Sequence, residues 1–540
     1  MLKINNSRLI ILSIFFFALA ACIIGQLAHI QIIKGDLYKA LAQGLHALPE
    51  EQLVERGEIL FKNDEPLAIN KNWPLAWVLP QEIKDAQLTA QKLSSILNLE
   101  EGFLLDKFNQ DKRYVILKSK LTQQEVDLLN QSELAGIYID TERGRYYPQE
   151  ALAGQIVGFL GGSGNGQYGL EEYYNQILYK PEQGKGDSLS LTIDYEIQFM
   201  AEKLLTEAEE SLKMKSGQII VIDPNSGKIL AMANFPTFNP NQYKESATSG
   251  DFDVFQNSLT ERIFEPGSVL KPITMAAALN EGKITPETTY VDTGVVKIGG
   301  WPLYNYAQRV YGKIPMTEVL EKSVNTGAVF AEQQIDNNIF LEYLEKFGFF
   351  EKTGIDLNEV SSENKELKKG YEVNFATASF GQGIEMTPMQ LVRAYCALAN
   401  GGKLVKPYVV EKITENGETI EEIQPKISNE PIFSSKTAGQ LTTMLVNVIE
   451  NGFAKKAKIP GYYIAGKSGT ALIPWSDKKG YSDQTWQSFI GWLPAFNPRV
   501  VILVKLDQPE ANTAEYSAMP IFRKMAEFII NYTQIPPDYE

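Results

Sequence analysis

Residues 265–272 have the sequence Glu265-Pro266-Gly267-Ser268-Val269-Leu270-Lys271-Pro272. The Pro-Gly pair interrupts any preceding element, and strong helix formers follow until Gly282, which can end a helix. Ser268 therefore lies in or just before the first helical turn. Because residues three apart share one face of a helix, the spacing predicts that the Lys271 ammonium approaches the Ser268 hydroxyl. A desolvated lysine near other cations can lose its proton and activate a serine nucleophile.

Two more motifs follow downstream. Ser323-Val324-Asn325 lies where a predicted helical segment meets a glycine, and Lys467-Ser468-Gly469-Thr470 follows a strand-like segment. Each motif alone has a structural explanation, since the serines and the asparagine could cap helices and the lysines could be solvated. The order Ser-x-x-Lys, Ser-x-Asn and Lys-Ser/Thr-Gly on one chain is instead typical of penicillin-binding proteins and serine β-lactamases.

Within that superfamily the chain resembles class B penicillin-binding proteins, the membrane-anchored peptidoglycan transpeptidases. The resemblance implies a D,D-transpeptidase that cross-links stem peptides through a serine acyl-enzyme, releases D-alanine and is inhibited by β-lactams. Family-like blocks extend from about Arg56 to the C-terminus and comprise Arg56-Gly57-Glu58-Ile59, Gly144-Arg145-Tyr146-Tyr147-Pro148, Gly169-Leu170-Glu171, Leu191-Thr192-Ile193-Asp194, Asp223-Pro224-Asn225-Ser226-Gly227 and Phe380-Gly381-Gln382-Gly383.

The resemblance also implies catalytic roles. Ser268 would attack the carbonyl of the penultimate D-alanine, with Lys271 as its base. Ser323 would pass protons, and Asn325 would hold the substrate amide and the Lys271 side chain. Lys467 would complete the catalytic set.

The third motif would bind substrate. Lys467, Ser468 and Thr470 would bind the substrate carboxylate from an edge strand, and Gly469 would permit close backbone approach. The backbone N–H groups of Ser268 and Thr470 would form the oxyanion hole.

The composition excludes several other classes of site. The formal net charge is −15 over 540 residues, and phosphate binding needs a basic surface, so we expect no nucleic-acid partner. The two histidines are His29 and His46. The downstream chain therefore has neither a Ser-His-Asp triad nor a histidine-ligated metal site, and we expect no metal or cofactor.

Two alternative functions share this pattern. A β-lactamase uses the same serine but deacylates with water, for which class A enzymes position a glutamate. No Glu-x-x-Leu-Asn sequence lies between Ser323 and Lys467, which disfavours it. A penicillin-sensing protein or inactive scaffold is disfavoured because all three motifs are intact and no output domain precedes the apolar N-terminal segment.

That N-terminal segment is long enough to span a bilayer, since apolar residues run from Leu9 to Gly25 and continue with interruptions to Ile33. Lys3 and Arg8 precede it and place the N-terminus in the cytoplasm. We predict a cytoplasmic tail at 1–8, a single-pass anchor at 9–30 and a catalytic domain outside the cell membrane.

Two alternatives to an uncleaved anchor stay open. Ala18-Leu19-Ala20 resembles a signal-peptidase site, and Leu19-Ala20-Ala21-Cys22 resembles a lipoprotein box that would be lipidated at Cys22. Apolar residues continue beyond both, which favours the anchor.

The remaining chain predicts two α+β domains. Residues 34–185 mix short strands with amphipathic segments, and the resemblance implies a mixed α/β pedestal, similar to a dimerisation domain, that contacts partner proteins. Residues 190–540 would form the transpeptidase domain, whose fold in the family is an antiparallel sheet with helices on both faces. Helical patterns dominate 271–400, and strand patterns occur at 218–222, 228–232, 462–472, 486–493 and 500–506.

The cellular role is predicted from similar details. The segment 34–185 is too short for a glycosyltransferase domain, so glycan polymerisation would require a membrane glycosyltransferase and other cell-wall synthesis proteins as partners. Asn325 followed by Thr326-Gly327 resembles division-type proteins and favours septal synthesis, while an elongation-type role stays open.

Overall fold

The computed structural model describes Phe16, Leu19, Ile23 and residues 54–540, except 111, 113, 163, 249, 251, 476, 477 and 479. In this part of the chain, no helix is both long and apolar enough to cross a membrane. The predicted tail at 1–8 and most of the predicted anchor at 9–30 lie outside the described residues, as does Cys22.

The described chain forms two compact units. The smaller comprises residues 54–56, 70–146 and 180–185, and the larger comprises 57–69, 147–179 and 186–540. The larger unit therefore includes two segments, 57–69 and 147–179, that lie within the predicted pedestal at 34–185. Their apolar side chains explain this, because Ile59, Ile156 and Leu170 are fully buried in its core. The domain boundary itself stays a prediction.

The smaller unit packs amphipathic helices against strands. Leu93, Leu97 and Leu104 form part of its buried core. The Asp85 side chain caps the first helix, and Thr122 begins another through a capping box with Glu125. The elements are the strands Pro66–Val78 (from Asn70), Val115–Lys118 and Ile137–Tyr146 and the helices Ala86–Leu97, Glu101–Phe108 and Gln123–Ser132.

The larger unit is built on an antiparallel sheet, here called the catalytic sheet. Its strands lie in the order Ala465–Pro474, Tyr481–Leu493, Val500–Asp507, Ser216–Ile222 and Ile229–Phe235. The first of these, Ala465–Pro474, is called the edge strand below; it and Tyr481–Leu493 form the edge hairpin. The strands predicted at 218–222 and 228–232 are confirmed as the antiparallel pair Ser216–Ile222 and Ile229–Phe235.

Helices cover both faces of the catalytic sheet. Phe489 packs on Phe522, with ring centroids 4.6 Å apart, whereas Trp492 lies 6.2 Å from Tyr395. Side chains at odd and even positions of one strand point to opposite faces. Helix Ala518–Thr533 therefore covers one face and helix Pro388–Ala399 covers the other, which confirms the predicted α+β architecture.

The helix Lys271–Asn280, here called the nucleophile helix, is buried on all sides. Its residues from Lys271 to Leu279 are all buried, as expected for a helix that lies inside a core rather than on a surface. It contacts the helices Asn325–Gln333 and Ser435–Glu450. A side chain at its first turn is therefore held in a fixed place.

The other helices of the larger unit are Gly154–Val157, Gly169–Tyr173, Asn175–Leu178, Tyr195–Leu212, Tyr243–Thr248, Ser258–Glu261, Met316–Glu321, Asn337–Lys346 and Glu372–Ala378. Its other strands are Ile59–Leu60, Phe159–Leu160, Gly166–Gln167, Ser188–Leu191, Thr289–Asp292, Val295–Ile298, Trp301–Tyr304, Gly312–Pro315, Val410–Glu415 and Glu418–Glu422.

Candidate active site

Ser268 lies in the 3₁₀ turn Gly267–Leu270, which leads directly into the nucleophile helix. Pro272 is tolerated there because the first N–H groups of a helix lack intrahelical partners. The Lys271 Nζ lies 3.0 Å from the Ser268 Oγ. The three-residue spacing thus brings the two side chains together, as the sequence predicts.

The loop that contains Gly381 packs against the turn that carries Ser268. The Gly267 N–H donates to the Gly381 carbonyl at 2.9 Å. Gly381 has φ +83°, and a Cβ there would lie 2.1 Å from the Gly267 carbonyl oxygen. Any side chain at 381 would displace the turn that carries Ser268, which explains a glycine at this position.

Ser323 and Asn325 face the same lysine. Ser323 has φ +55° and lies between the helices Met316–Glu321 and Asn325–Gln333. A non-glycine residue in this conformation costs about 1–2 kcal/mol. Neither side chain caps a helix, so the alternative explanation of this motif is wrong. The strained turn instead directs the Ser323 carbonyl and hydroxyl towards Lys271.

The surroundings of Lys271 Nζ fit a neutral amine. Four oxygens contact it: the Ser323 carbonyl at 2.6 Å, the Asn325 Oδ1 at 2.8 Å, and the Ser268 and Ser323 hydroxyls at 3.0 and 3.1 Å. The carbonyl and amide oxygens can only accept. A neutral amine has two N–H donors for them and keeps a lone pair that can accept a hydroxyl proton. The geometry therefore permits Lys271 to act as a base towards Ser268.

Lys467 approaches from the edge strand. It is only 1% exposed, so the solvated alternative is wrong for this residue, as it is for the fully buried Lys271. The Lys467 Nζ donates to the Ser323 hydroxyl and to the Ser468 carbonyl, both at 2.9 Å.

Burial and charge both favour proton loss from the two amines. Burial lowers the pKa of Lys467 to about 7. Burial, and then the charge of Lys467, lower the pKa of Lys271 well below its usual range. Both effects disfavour the ammonium form and favour the neutral amine of Lys271.

The edge strand exposes some of its motif residues and buries others. Lys467 and Gly469 are buried, whereas Ser468 and Thr470 are half-buried. A Cβ on Gly469 would lie 3.0 Å from Val269 and 3.1 Å from the Pro266 carbonyl oxygen. The absence of a side chain lets the strand approach the Ser268 turn. The strand is the outermost one of the catalytic sheet, a position at which an extended ligand can pair with it.

A buried polar network fixes the helix that begins at Asn325. The Asp292 carboxylate accepts from Thr326 Oγ1 at 2.7 Å and from Asn305 Nδ2 at 3.0 Å. The Asn325 side chain also donates to the Tyr304 carbonyl at 3.0 Å. The sequence does not indicate these contacts, because helical patterns are predicted to dominate 271–400 and isolated Asp and Asn residues carry no motif.

A second contact missed by the sequence involves Glu265. The buried Glu265 carboxylate accepts from the Tyr481 hydroxyl at 3.0 Å. Burial, opposed by hydrogen bonds from Tyr481 and the Gly383 N–H, raises the pKa of Glu265 to about 7. The octapeptide 265–272 contains this glutamate, but only the fold brings Tyr481 to it.

The assembled chemistry is a serine with an adjacent amine base, a second amine and a bridging hydroxyl beside an open strand edge. Among the described residues, no group of His, Cys, Asp or Glu side chains is arranged to hold a metal ion. The constellation is suited to nucleophilic acyl transfer.

Family comparisons agree with this chemistry. Residues 217–527 match the penicillin binding protein transpeptidase domain. Residues 51–188 match the penicillin-binding protein dimerisation domain.

The similarity to individual relatives covers nearly the whole chain. Stage V sporulation protein D of Bacillus subtilis is 30% identical, covering 94% of this chain and 82% of the relative. A peptidoglycan D,D-transpeptidase FtsI homolog of Mesostigma viride is 29% identical, covering 98% and 96%. The structure of penicillin binding protein 3 from Mycobacterium tuberculosis, complexed with aztreonam, has a TM-score of 0.70 and 25% identity, covering 90% of this chain and 97% of that one.

Proposed function

Because this chain belongs to the class B penicillin-binding proteins and is a peptidoglycan D,D-transpeptidase, we propose that Ser268 is its nucleophile and Lys271 the general base. The contact of Lys271 Nζ with Ser268 Oγ and three further oxygens carries this proposal. The strained Ser323 turn and the buried edge-strand lysine support it.

In the acylation step, Ser268 Oγ attacks the carbonyl carbon of the penultimate D-alanine as its proton moves to Lys271 Nζ. The tetrahedral oxyanion is stabilised by the backbone N–H groups of Ser268 and Thr470. The peptide bond then breaks. Its nitrogen receives a proton through Lys271 and Ser323, and the terminal D-alanine leaves as an amine.

In the second step, an amine from a neighbouring stem attacks the ester carbonyl. Lys271 accepts the proton of that amine, the C–O bond to Ser268 breaks, and the serine hydroxyl is restored. A new peptide bond joins the two stems, so no oxidant or cofactor is required.

Substrate binding involves the edge strand and the asparagine. The Lys467 ammonium and the Ser468 and Thr470 hydroxyls are suited to the terminal carboxylate of a stem peptide. Asn325 is suited to hold the substrate amide, because its carboxamide is half-buried at the cleft beside Lys271.

β-Lactams would acylate Ser268 as mimics of the D-alanyl-D-alanine end. The aztreonam complex of the Mycobacterium tuberculosis relative supports this. The test is peptide mapping after incubation with a fluorescent penicillin: the adduct should lie on the peptide containing Ser268, and Ser268→Ala should abolish it without changing the circular dichroism spectrum. An adduct on Ser323 or Ser468 would overturn these assignments.

We further propose that residues 9–30 anchor the protein in the cell membrane with residues 34–540 outside the cytoplasm. Residues 34–185 would act as the pedestal and contact a membrane glycosyltransferase. Protease added to spheroplasts should digest the chain beyond Lys34. A soluble mature chain that begins near Ala21 would overturn the anchor, and a lipidated Cys22 would favour the lipoprotein alternative.

For the cellular role, we propose septal synthesis, supported by the Ser323-Val324-Asn325 motif and the following Thr326-Gly327. A fluorescent fusion should then concentrate at the division site. Localisation along the lateral wall throughout the cell cycle would favour the elongation-type alternative.

A further inference from the structure

Glu265 lies three residues before Ser268 and is only 8% exposed. The backbone of the neighbouring Phe264 is paired in both directions with Met386, at 2.9 and 3.1 Å. This pairing fixes the segment that leads to the nucleophile turn. The Glu265 carboxylate accepts hydrogen bonds from the Gly383 N–H and the Tyr481 hydroxyl.

Tyr481 belongs to the other half of the active site. It is the first residue of the strand Tyr481–Leu493 and is paired with Pro474 at the end of the edge strand. The next residue, Ser482, donates its hydroxyl to the Ile473 carbonyl at 2.9 Å. The Tyr481 ring is therefore fixed to the edge hairpin, while its hydroxyl reaches the nucleophile segment.

Residues 264–270 carry the nucleophile turn. Among the described residues, one hydrogen bond joins them to the edge hairpin, from the Tyr481 hydroxyl to the Glu265 carboxylate. The other contacts are apolar or steric. Gly267 faces Ala471, Gly469 faces Val269, and Phe264 packs edge-on to Trp486 with ring centroids 6.0 Å apart. Apolar contacts are non-directional and leave small sliding motions possible, whereas a hydrogen bond fixes distance and direction.

The separation of these two parts matters for the reaction. One oxyanion donor is the Ser268 N–H on the nucleophile turn, and the other is the Thr470 N–H on the edge strand. Donors must lie about 2.7–3.1 Å from the developing oxyanion to stabilise it. A small movement of the edge hairpin relative to the turn would separate them.

We propose that Glu265 is a positioning residue for transpeptidation, holding the edge hairpin against the nucleophile turn through the Tyr481 hydroxyl. This inference rests on the proposed roles of Ser268 and Thr470. It assigns no contact with substrate to Glu265.

The test is a double-mutant cycle with Glu265→Gln, Tyr481→Phe and the double variant. Gln keeps the shape but turns an N–H₂ group towards one of the two donors that the carboxylate satisfies. Phe removes only the hydroxyl of a residue that is 39% exposed, so this variant should fold. Glu385→Gln is the matched control. The charge of Glu385 also acts on Glu265, but its carboxylate accepts a hydrogen bond from the Ser362 hydroxyl and not from Tyr481.

The measurement is penicillin acylation by stopped flow, which separates the non-covalent half-saturation concentration from the acylation rate constant. Each single variant should lower the rate constant about 10- to 100-fold, with little change in the half-saturation concentration. The double variant should be no slower than the slower single variant, because both remove the same contact. Glu385→Gln should acylate at the parent rate.

Three results would overturn the proposal: parent acylation rates in both single variants, multiplicative losses in the double variant, or an effect confined to the half-saturation concentration. If Ser268 were not the nucleophile, a different result would show it: Ser268→Ala would still form the covalent adduct. Melting temperatures of all variants identify any that are unfolded, and Tyr481→Phe keeps the test decisive if Glu265→Gln is one of them.

Discussion

Lys271 and Lys467 approach the same atom, the Ser323 hydroxyl oxygen, at 3.1 and 2.9 Å. Both amines are buried, so a charge on Lys467 disfavours a charge on Lys271 with little solvent screening. One hydroxyl between two amines can accept from one and donate to the other, which gives protons a path across the site. In the proposed mechanism, this path would let Lys271 release and recover a proton.

This relationship predicts a pH effect of Lys467→Met. The charge of Lys467 contributes to the lowered pKa of Lys271, after burial, so its removal should raise the pKa of Lys271. Acylation by the proposed mechanism needs the neutral amine of Lys271. The acidic limb of the pH–rate profile for acylation should therefore move to higher pH. The measurement is the acylation rate constant from pH 5 to 10.

Lys467→Arg is the control because it keeps a cation in place. Its acidic limb should stay near that of the parent, even if the maximal rate falls. A parent-like limb in Lys467→Met would show that Lys467 does not influence the protonation of Lys271.

The sequence predicted the site in so far as the chemistry is local. Ser268 and Lys271 share one helical turn, so their spacing alone places them together. Ser323, Asn325 and Lys467 were found only because motif order supplied the long-range pairing that periodicity cannot. Their meeting at one amine depends on the left-handed Ser323 turn, and nothing in the pattern of a helical run meeting a glycine indicates that conformation.

Other contacts were beyond sequence reasoning for a physical reason. Tyr481 reaches Glu265 because the strand Tyr481–Leu493 begins five residues before the apolar pattern that predicted a strand from 486. Exposed polar residues at the end of a hairpin carry no period-2 signal. Asp292 and Asn305 lie at the two ends of the hairpin formed by Val295–Ile298 and Trp301–Tyr304 and support the second motif. Such pairing is decided by tertiary structure.

Gly469→Ala should weaken both the fold and the reaction. The added Cβ would lie 2.7 Å from Ser488 Oγ, which can rotate, but also 3.1 Å from the Pro266 carbonyl, which belongs to the nucleophile segment. The edge strand must then move away from the turn. We expect a loss of about 1–3 kcal/mol in the free energy of unfolding and acylation slowed about tenfold or more.

Gly439→Ala is the matched control for that substitution. Gly439 is exposed within the helix Ser435–Glu450, and a Cβ there meets nothing within 4 Å. It should raise the free energy of unfolding by about 0.5–1 kcal/mol and leave acylation unchanged. Equal acylation rates in the two variants would contradict the steric account of Gly469.

Glu332→Gln should stabilise the protein increasingly as pH rises. Glu332 is 2% exposed, and its Oε1 has no hydrogen-bond partner among the described residues. Burial, and then the charge of Glu372, raise the pKa of Glu332 from 4.5 to about 7. Because the folded-state pKa is the higher one, stability is lost as pH rises from about 4.5 through 7. The difference between these two pKa values corresponds to a loss of about 3 kcal/mol in the free energy of unfolding at pH 8.

Denaturant titrations of the parent and the variant at pH 5 and pH 8 would measure this effect. The gain in the free energy of unfolding should be small at pH 5 and approach about 3 kcal/mol at pH 8. Glu345→Gln, at an exposed position of the helix Asn337–Lys346, should show no such pH dependence. A constant difference between parent and Glu332→Gln would mean that Glu332 is not protonated in the folded state near neutral pH.

The acyl-enzyme should be long-lived towards water. Both histidines precede residue 54, and among the described residues no carboxylate makes a hydrogen bond to Ser268, Lys271 or Lys467. Nothing else in the described cleft is placed to activate water once Lys271 has passed on its proton. A penicilloyl adduct should therefore persist for many minutes by mass spectrometry.

A stem-like thioester should turn over faster when a D-amino acid is added, because the amine supplies its own nucleophilicity and needs only a proton acceptor. Rapid multiple-turnover hydrolysis of penicillin, unaffected by added amine, would instead contradict the transpeptidase mechanism and favour the β-lactamase alternative.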